Sequence, residues 1–97
     1  SAFSIGYLTM VKSGLLSLAA LVDRMSIAPA KIAGYREHGG TMQIGQSANL
    51  CIVDLNRAWT VDRDAVQSKS RNTPFHGREL PAVVERTFFH GKEVSAI

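Results

Sequence analysis

The sequence has 97 residues, of which 45% are hydrophobic and 20% charged, and a formal charge of +3. That composition excludes a disordered or fibrous chain and fits one globular domain or part of a larger one. The basic residues are scattered, with Lys69-Ser70-Arg71 the densest run, so the charge marks no nucleic-acid partner: no aromatic-interleaved patch or reading helix goes with it.

The first third reads as helical. Phe3, Tyr7, Leu8 and Val11 recur at spacings of three and four and share one face. Gly14 ends that run. Ser17 is the expected N-cap of a second helix, whose apolar stripe is Leu18, Leu21, Val22 and Met25. A third, short helix is expected from Pro29 to Ala33, with proline in its first turn and Gly34 closing it. The Gly39-Gly40 pair then breaks the pattern, and a boundary is placed here that divides the chain into residues 1–36 and 37–97.

After the break the pattern is that of strands. Thr41 to Ile44 is a short candidate, followed by a turn at Gly45-Gln46. Leu50 to Val53 is a continuous apolar run, expected as a buried strand that hides Cys51. If Ile52 is fully buried there, Ile52→Ala should cost on the order of 2–5 kcal/mol. Asp54 to Arg57 is expected as a turn, Trp59 to Val61 as a brief extended piece, and Asp62 as the cap of a helical turn through Gln67. Ser68 to Gly77 has few apolar residues and contains Pro74, so it reads as a loop. Val83 to Phe89 is a second strand, His90-Gly91-Lys92 a tight turn, and Val94 to Ile97 its hairpin partner.

Little in this pattern carries chemistry. The histidines His38, His76 and His90 form neither an H-x-H nor an H-E-x-x-H pair, so no metal-ligand spacing is present and each reads as an exposed loop residue. Asp54 follows a strand but is better read as a turn residue holding nearby backbone N–H groups. Asp62 and Asp64 are two apart and diverge on a helix, which makes them poor partners for acid–base work. Ser13, Ser17 and Ser26 sit at helix boundaries rather than in a nucleophile motif. No catalytic, cofactor-binding or metal-binding residue is assigned.

The single cysteine rules out an internal disulfide and fits a reducing cytoplasm. No apolar stretch approaches the roughly 20 residues that span a bilayer. Lys12 interrupts the apolar N-terminal residues and no cleavage site follows, so no signal peptide is read there. Ser1 in place of an initiator methionine leads to the expectation that the natural protein begins upstream.

Three stretches together resemble the C-terminal portion of dihydroorotases, within the amidohydrolase superfamily. Leu15 to Tyr35, with P-A-K-I-A-G, is similar to the helix that leaves the last barrel strand. Gly40 to Trp59, G-T-M-Q-I-G-Q-S-A-N-L-C-I-V-D-L-N-R-A-W, is similar to the segment that re-enters a small β-sandwich. Ser68 to Gly91, with S-K-S-R-N-T-P-F-H-G-R-E-L and then V-V-E-R-T-F-F-H-G, resembles the pattern that sets dihydroorotases apart from allantoinases and dihydropyrimidinases. Ser68, Lys69, Asn72, Thr73, Pro74, Phe75 and Gly77 carry that distinction. Asn49, where the superfamily more often has Asp, and Pro81, where the motif more often has Gly, depart from it.

The resemblance implies an α+β fragment: terminal helices of a (β/α)8 TIM barrel over 1–36, then part of the small β-sandwich over 37–97. It implies a parent hydrolase of pyrimidine biosynthesis that interconverts dihydroorotate and N-carbamoyl-aspartate through a zinc-activated water. The family's metal ligands and its catalytic Asp would all lie upstream of Ser1, so none maps onto this chain. The alternatives are a non-catalytic dihydroorotase-like structural subunit and a related allantoinase or dihydropyrimidinase. The partners implied are the remainder of the parent enzyme or a second copy of the chain, with aspartate transcarbamoylase as a further one; no nucleic acid and no membrane are expected.

Overall fold

A computed structural model describes residues 2–36, 38–40, 42–65 and 69–96. Three short α-helices precede a three-stranded antiparallel sheet of order β1-β2-β3. They are α1 (Ala2–Gly6), α2 (Leu18–Val22) and α3 (Ala28–Ala33), and the strands are β1 (Leu50–Thr60), β2 (Glu79–Phe89) and β3 (Lys92–Ala96).

The helices follow the sequence pattern with one systematic change. Each of the first two widens into a π turn, Tyr7–Val11 after α1 and Asp23–Ile27 after α2. A π turn closes i→i+5 rather than i→i+4 bonds, as in the Lys12 N–H to Tyr7 carbonyl bond of 2.9 Å. It shifts the phase of every later side chain, so a stripe counted at 3.6 residues per turn does not stay on one face. In the expected stripe of the second helix, Leu21 is buried while Leu18, Val22 and Met25 are exposed; only Met25 lies in the π turn, and Leu18 and Val22 precede it. The second π turn also runs directly into α3, so the expected second and third helices are continuous. Their caps are as expected. The Ser17 hydroxyl accepts the Ala20 N–H at 3.1 Å, Pro29 stands in the first turn of α3, and Gly34 ends it in the left-handed conformation.

The two helical runs meet where Gly6 lets Leu21 approach; a Cβ at Gly6 would lie 3.1 Å from Leu21 Cδ1. The sheet packs beneath α1 at the Leu80–Val83 stretch of β2. Leu21, Ala30, Val61, Leu80, Ala82 and Val83 make the apolar core, with Leu80 only 1% exposed.

Several strand expectations need correction. Residues 42–44 form no strand, and Ile44 is fully exposed; two apolar residues before a glycine turn have no neighbouring strand to pair with, and Thr41 lies outside the described residues. The turn is present, closed by the Gln46 N–H to the Gln43 carbonyl at 3.2 Å. Leu50 to Val53 is a strand but is not buried: Cys51 is exposed and Ile52 is 43% exposed. The reason is position, since β1 is an outer strand and the helices that pack on the sheet, α1 and the π turn after it, meet mainly β2 rather than β1.

Asp54 to Arg57 does not end the strand. Asp54 pairs with Val83 and Ala58 with Pro81, so three residues of β1 stand opposite Ala82 alone. The expected local chemistry survives as a bulge, in which an Asp54 carboxylate oxygen accepts the Asn56 N–H at 2.9 Å. Across from it Ala82 takes φ 66, an unusual left-handed value for a residue with a Cβ.

At its far end β1 is extended by Val61, which bonds to the Arg78 carbonyl and to the Gly77 N–H. Asp62 then caps a 3-10 turn, Arg63–Ala65, by accepting the Asp64 N–H at 2.9 Å; residues 66–68 lie outside the described residues. The β2–β3 hairpin closes through His90-Gly91, with φ 50 and 79, the left-handed pair that a two-residue turn between twisted strands requires.

Candidate functional site

The histidines and carboxylates weighed for chemistry fall in separate places. His76 lies in the loop that precedes β2, where its Nδ1 accepts the Arg63 N–H at 3.1 Å. The same loop is tied to the 3-10 turn by Arg71, whose guanidinium donates to the Arg63 and Asp64 carbonyls at 3.2 and 2.9 Å. Two tight side-chain-to-backbone bonds shape it, from the Asn72 N–H to Ser70 Oγ and from the Phe75 N–H to Thr73 Oγ1, both at 3.2 Å. Arg78 stands over the Phe75 ring at 5.8 Å. The S-K-S-R-N-T-P-F-H-G stretch is thus an ordered strap across the end of β1, over the residues described.

The other two histidines come together far from His76. His38 and His90 have ring centroids 6.4 Å apart, with Phe89 stacked on His38 at 6.2 Å and edge-on to His90 at 4.3 Å. His38 is half-buried, not the exposed loop residue expected, because Tyr35 and Phe89 flank it. His90 is exposed, and its N–H donates to the Asn49 side-chain oxygen at 2.9 Å. Asn49, which departs from the superfamily pattern, therefore braces the hairpin turn. The carboxylates of Asp54 and Asp62 hold backbone N–H groups of their own turns and do not meet. Among the described residues no group of three His, Cys, Asp or Glu side chains is placed to hold a metal ion.

One polar cluster escaped the sequence reading. Ser4, 3% exposed, donates to the Ala82 carbonyl at 2.6 Å and accepts the Trp59 indole N–H at 3.0 Å. It links α1, β1 and β2 across 55 and 78 residues of sequence. A serine flanked by Phe3 and Ile5, in a chain with a single Trp, was the available signal.

Beside this packed end lies an open one. A groove of about 730 Å³ runs between the second helical run and the hairpin end of the sheet, lined by Val22, Ile27, Leu50, Phe88, Phe89 and Val94 among others. Among the described residues no helix is long and apolar enough to cross a membrane.

No family model matches the chain. Over 92 residues, 95% of its length, it is 44% identical to the dihydroorotase of Elusimicrobium minutum and 46% identical to that of Streptomyces coelicolor. Those residues are 21% and 22% of the two proteins, so the chain spans about a fifth of the length of the curated relatives it matches. Among solved structures it is similar to the L-hydantoinase (dihydropyrimidinase) of Arthrobacter aurescens, at 36% identity and a TM-score of 0.78, covering 93% of this chain and 20% of that one. With the strap and the capped helices in place, these likenesses show that the chain is a dihydroorotase-like cyclic amidohydrolase region.

Proposed function

We propose that this region is the C-terminal scaffold of a cyclic amidohydrolase that interconverts dihydroorotate and N-carbamoyl-aspartate in pyrimidine biosynthesis. The observation that carries the reading is the identity of 44–46% to dihydroorotases over 95% of the chain. Residues 1–36 are assigned to the end of the barrel and residues 37–97 to the small β-sandwich. The open groove and the free edge of β1 are the surfaces on which the remainder of the parent chain would rest.

In such a parent a zinc ion would lower the pKa of a bound water and so make hydroxide available near neutral pH. The described residues do not fit that ion: among them His38 and His90 are brought together without a third ligand, and His76 accepts the Arg63 N–H in another place. No step of the reaction is therefore assigned to residues of this chain. Their part is packing, through the strap, the bulge and the capped helices. The cytoplasm is the compartment that goes with this reading.

The L-hydantoinase likeness supports a second reading, a related dihydropyrimidinase, and at 36% identity it stands behind the dihydroorotase one. A dihydroorotase-like structural subunit is the third. Expression of the complete reading frame decides among them. Zinc-dependent turnover of dihydroorotate supports the first reading, turnover of dihydrouracil or hydantoin the second, and a folded, inactive protein the third.

A further inference from the structure

The relay through Ser4 joins two parts of the chain that have few other polar ties. Its hydroxyl is almost fully buried, and it bonds at once to an indole N–H and to the carbonyl of a left-handed alanine. A buried polar group is retained cheaply only when every member of its network is satisfied, and a single missing member leaves the others desolvated and unpaired. Among the described residues no buried side-chain polar atom lacks a partner. The relay also sits at the bulge, where three residues of β1 face one of β2 and the regular ladder is interrupted. There the backbone bonds that would fix β2 are replaced by one side chain from α1.

We propose that Ser4 is a conformational latch: its hydroxyl holds the left-handed Ala82 bulge in place and makes the helical segment and the sheet order as one unit. The regular ladder is interrupted at the bulge, and among the described residues the Ser4 hydroxyl is what ties α1 to the strands by hydrogen bonds. Seating α1 and forming the bulge are therefore one event. The consequence goes beyond packing energy. Without the hydroxyl, α1 can leave the sheet while the outer strand pairs remain, so a single transition becomes two.

Trp59 reports on this directly, because its indole N–H is a member of the relay and it is the chain's one tryptophan. In the unsubstituted protein the indole proton should exchange slowly with solvent; rapid exchange in the folded protein would overturn the proposal without any variant being made. In Ser4→Ala the indole exchange should quicken roughly five- to a hundredfold, the range for losing a buried partner. Helical circular dichroism should then be lost at a lower denaturant concentration than the amide-exchange protection of the β2–β3 pairs at Arg86 to Phe89. Ser4→Thr, which keeps the hydroxyl, should bring the two transitions back together. Coincident transitions and unchanged indole exchange in Ser4→Ala, or a Ser4→Thr protein that behaves like Ser4→Ala, would contradict the latch.

Discussion

The two ends of the sheet are built from similar residues and have opposite surroundings. At the Leu80–Val83 end, apolar side chains lie under α1 and are fully buried, with Ser4 and Trp59 satisfying each other among them. At the hairpin end, Ile52, Val84, Phe89 and Val94 are equally apolar and remain exposed, facing the groove or solvent. Sequence alone does not separate the two, since Leu-Cys-Ile-Val and Leu-Pro-Ala-Val-Val are both apolar runs. What separates them is which helix reaches which end. An apolar strand without a cover inside its own chain is the expected mark of a surface completed from elsewhere.

The largest effect should come from the closed end. Leu80→Ala removes a side chain that is 1% exposed and should cost about 2–5 kcal/mol in a denaturant titration. A loss under about 1 kcal/mol would mean that the closed end is no better packed than the open one. At the hairpin tip, Gly91→Ala places a Cβ on a residue at φ 79 and should cost about 1–2 kcal/mol, read from the same titration. A smaller loss would show that the turn relaxes to another type. Ile52→Ala, at 43% exposure, should cost about 1 kcal/mol or less in this chain. On the proposed reading, the same substitution in a longer parent chain should cost more, because a cover would then be present. Equal costs in the two settings would break the contrast between the ends.

The smallest effect is electrostatic. Arg86 and Glu93 form a two-point ion pair across β2 and β3, at 3.0 and 2.8 Å, on the exposed face of the hairpin. The hydrogen bond from Arg86 holds the Glu93 carboxyl below its ordinary range. A depressed carboxyl contributes stability above its unfolded pKa, and that contribution is lost as pH falls through the folded value. Acid should therefore weaken the hairpin slightly, salt should screen the effect, and Glu93→Gln should abolish the pH-dependent part. An acid loss of the same size in Glu93→Gln would assign it to another group.

Much of the fold was legible from local chemistry. Ser17, Pro29 and Gly34 act where they stand, so the helix ends could be read directly, and His90-Gly91 specified its hairpin turn. Asp54 was read as a turn former, and it does form one, but inside a strand; the sequence carries the local bond and not the pairing on either side of it. The π turns were not legible, because a phase shift leaves no residue signature. Burial at Cys51 and Ile52 was misread because an apolar run reports what a strand is fit for, not whether a neighbour arrives. The most specific part of the resemblance to dihydroorotases lay in the strap, where the motif's Thr73 accepts the Phe75 N–H, while Ser70 and Arg71, which the motif leaves open, supply further bonds to backbone. The Ser4 relay is formed by residues 55 and 78 positions apart, beyond any local signal.

On the proposed reading, the open end of this chain is a surface to be covered, by the remainder of a parent enzyme or by a second copy. Sedimentation of the purified 97-residue chain at high micromolar concentration, read together with the binding of an apolar dye, tests this. Self-association is expected, or a monomer that binds the dye strongly, with Phe89→Ser reducing whichever is seen. A compact monomer that unfolds cooperatively and binds no dye would contradict it.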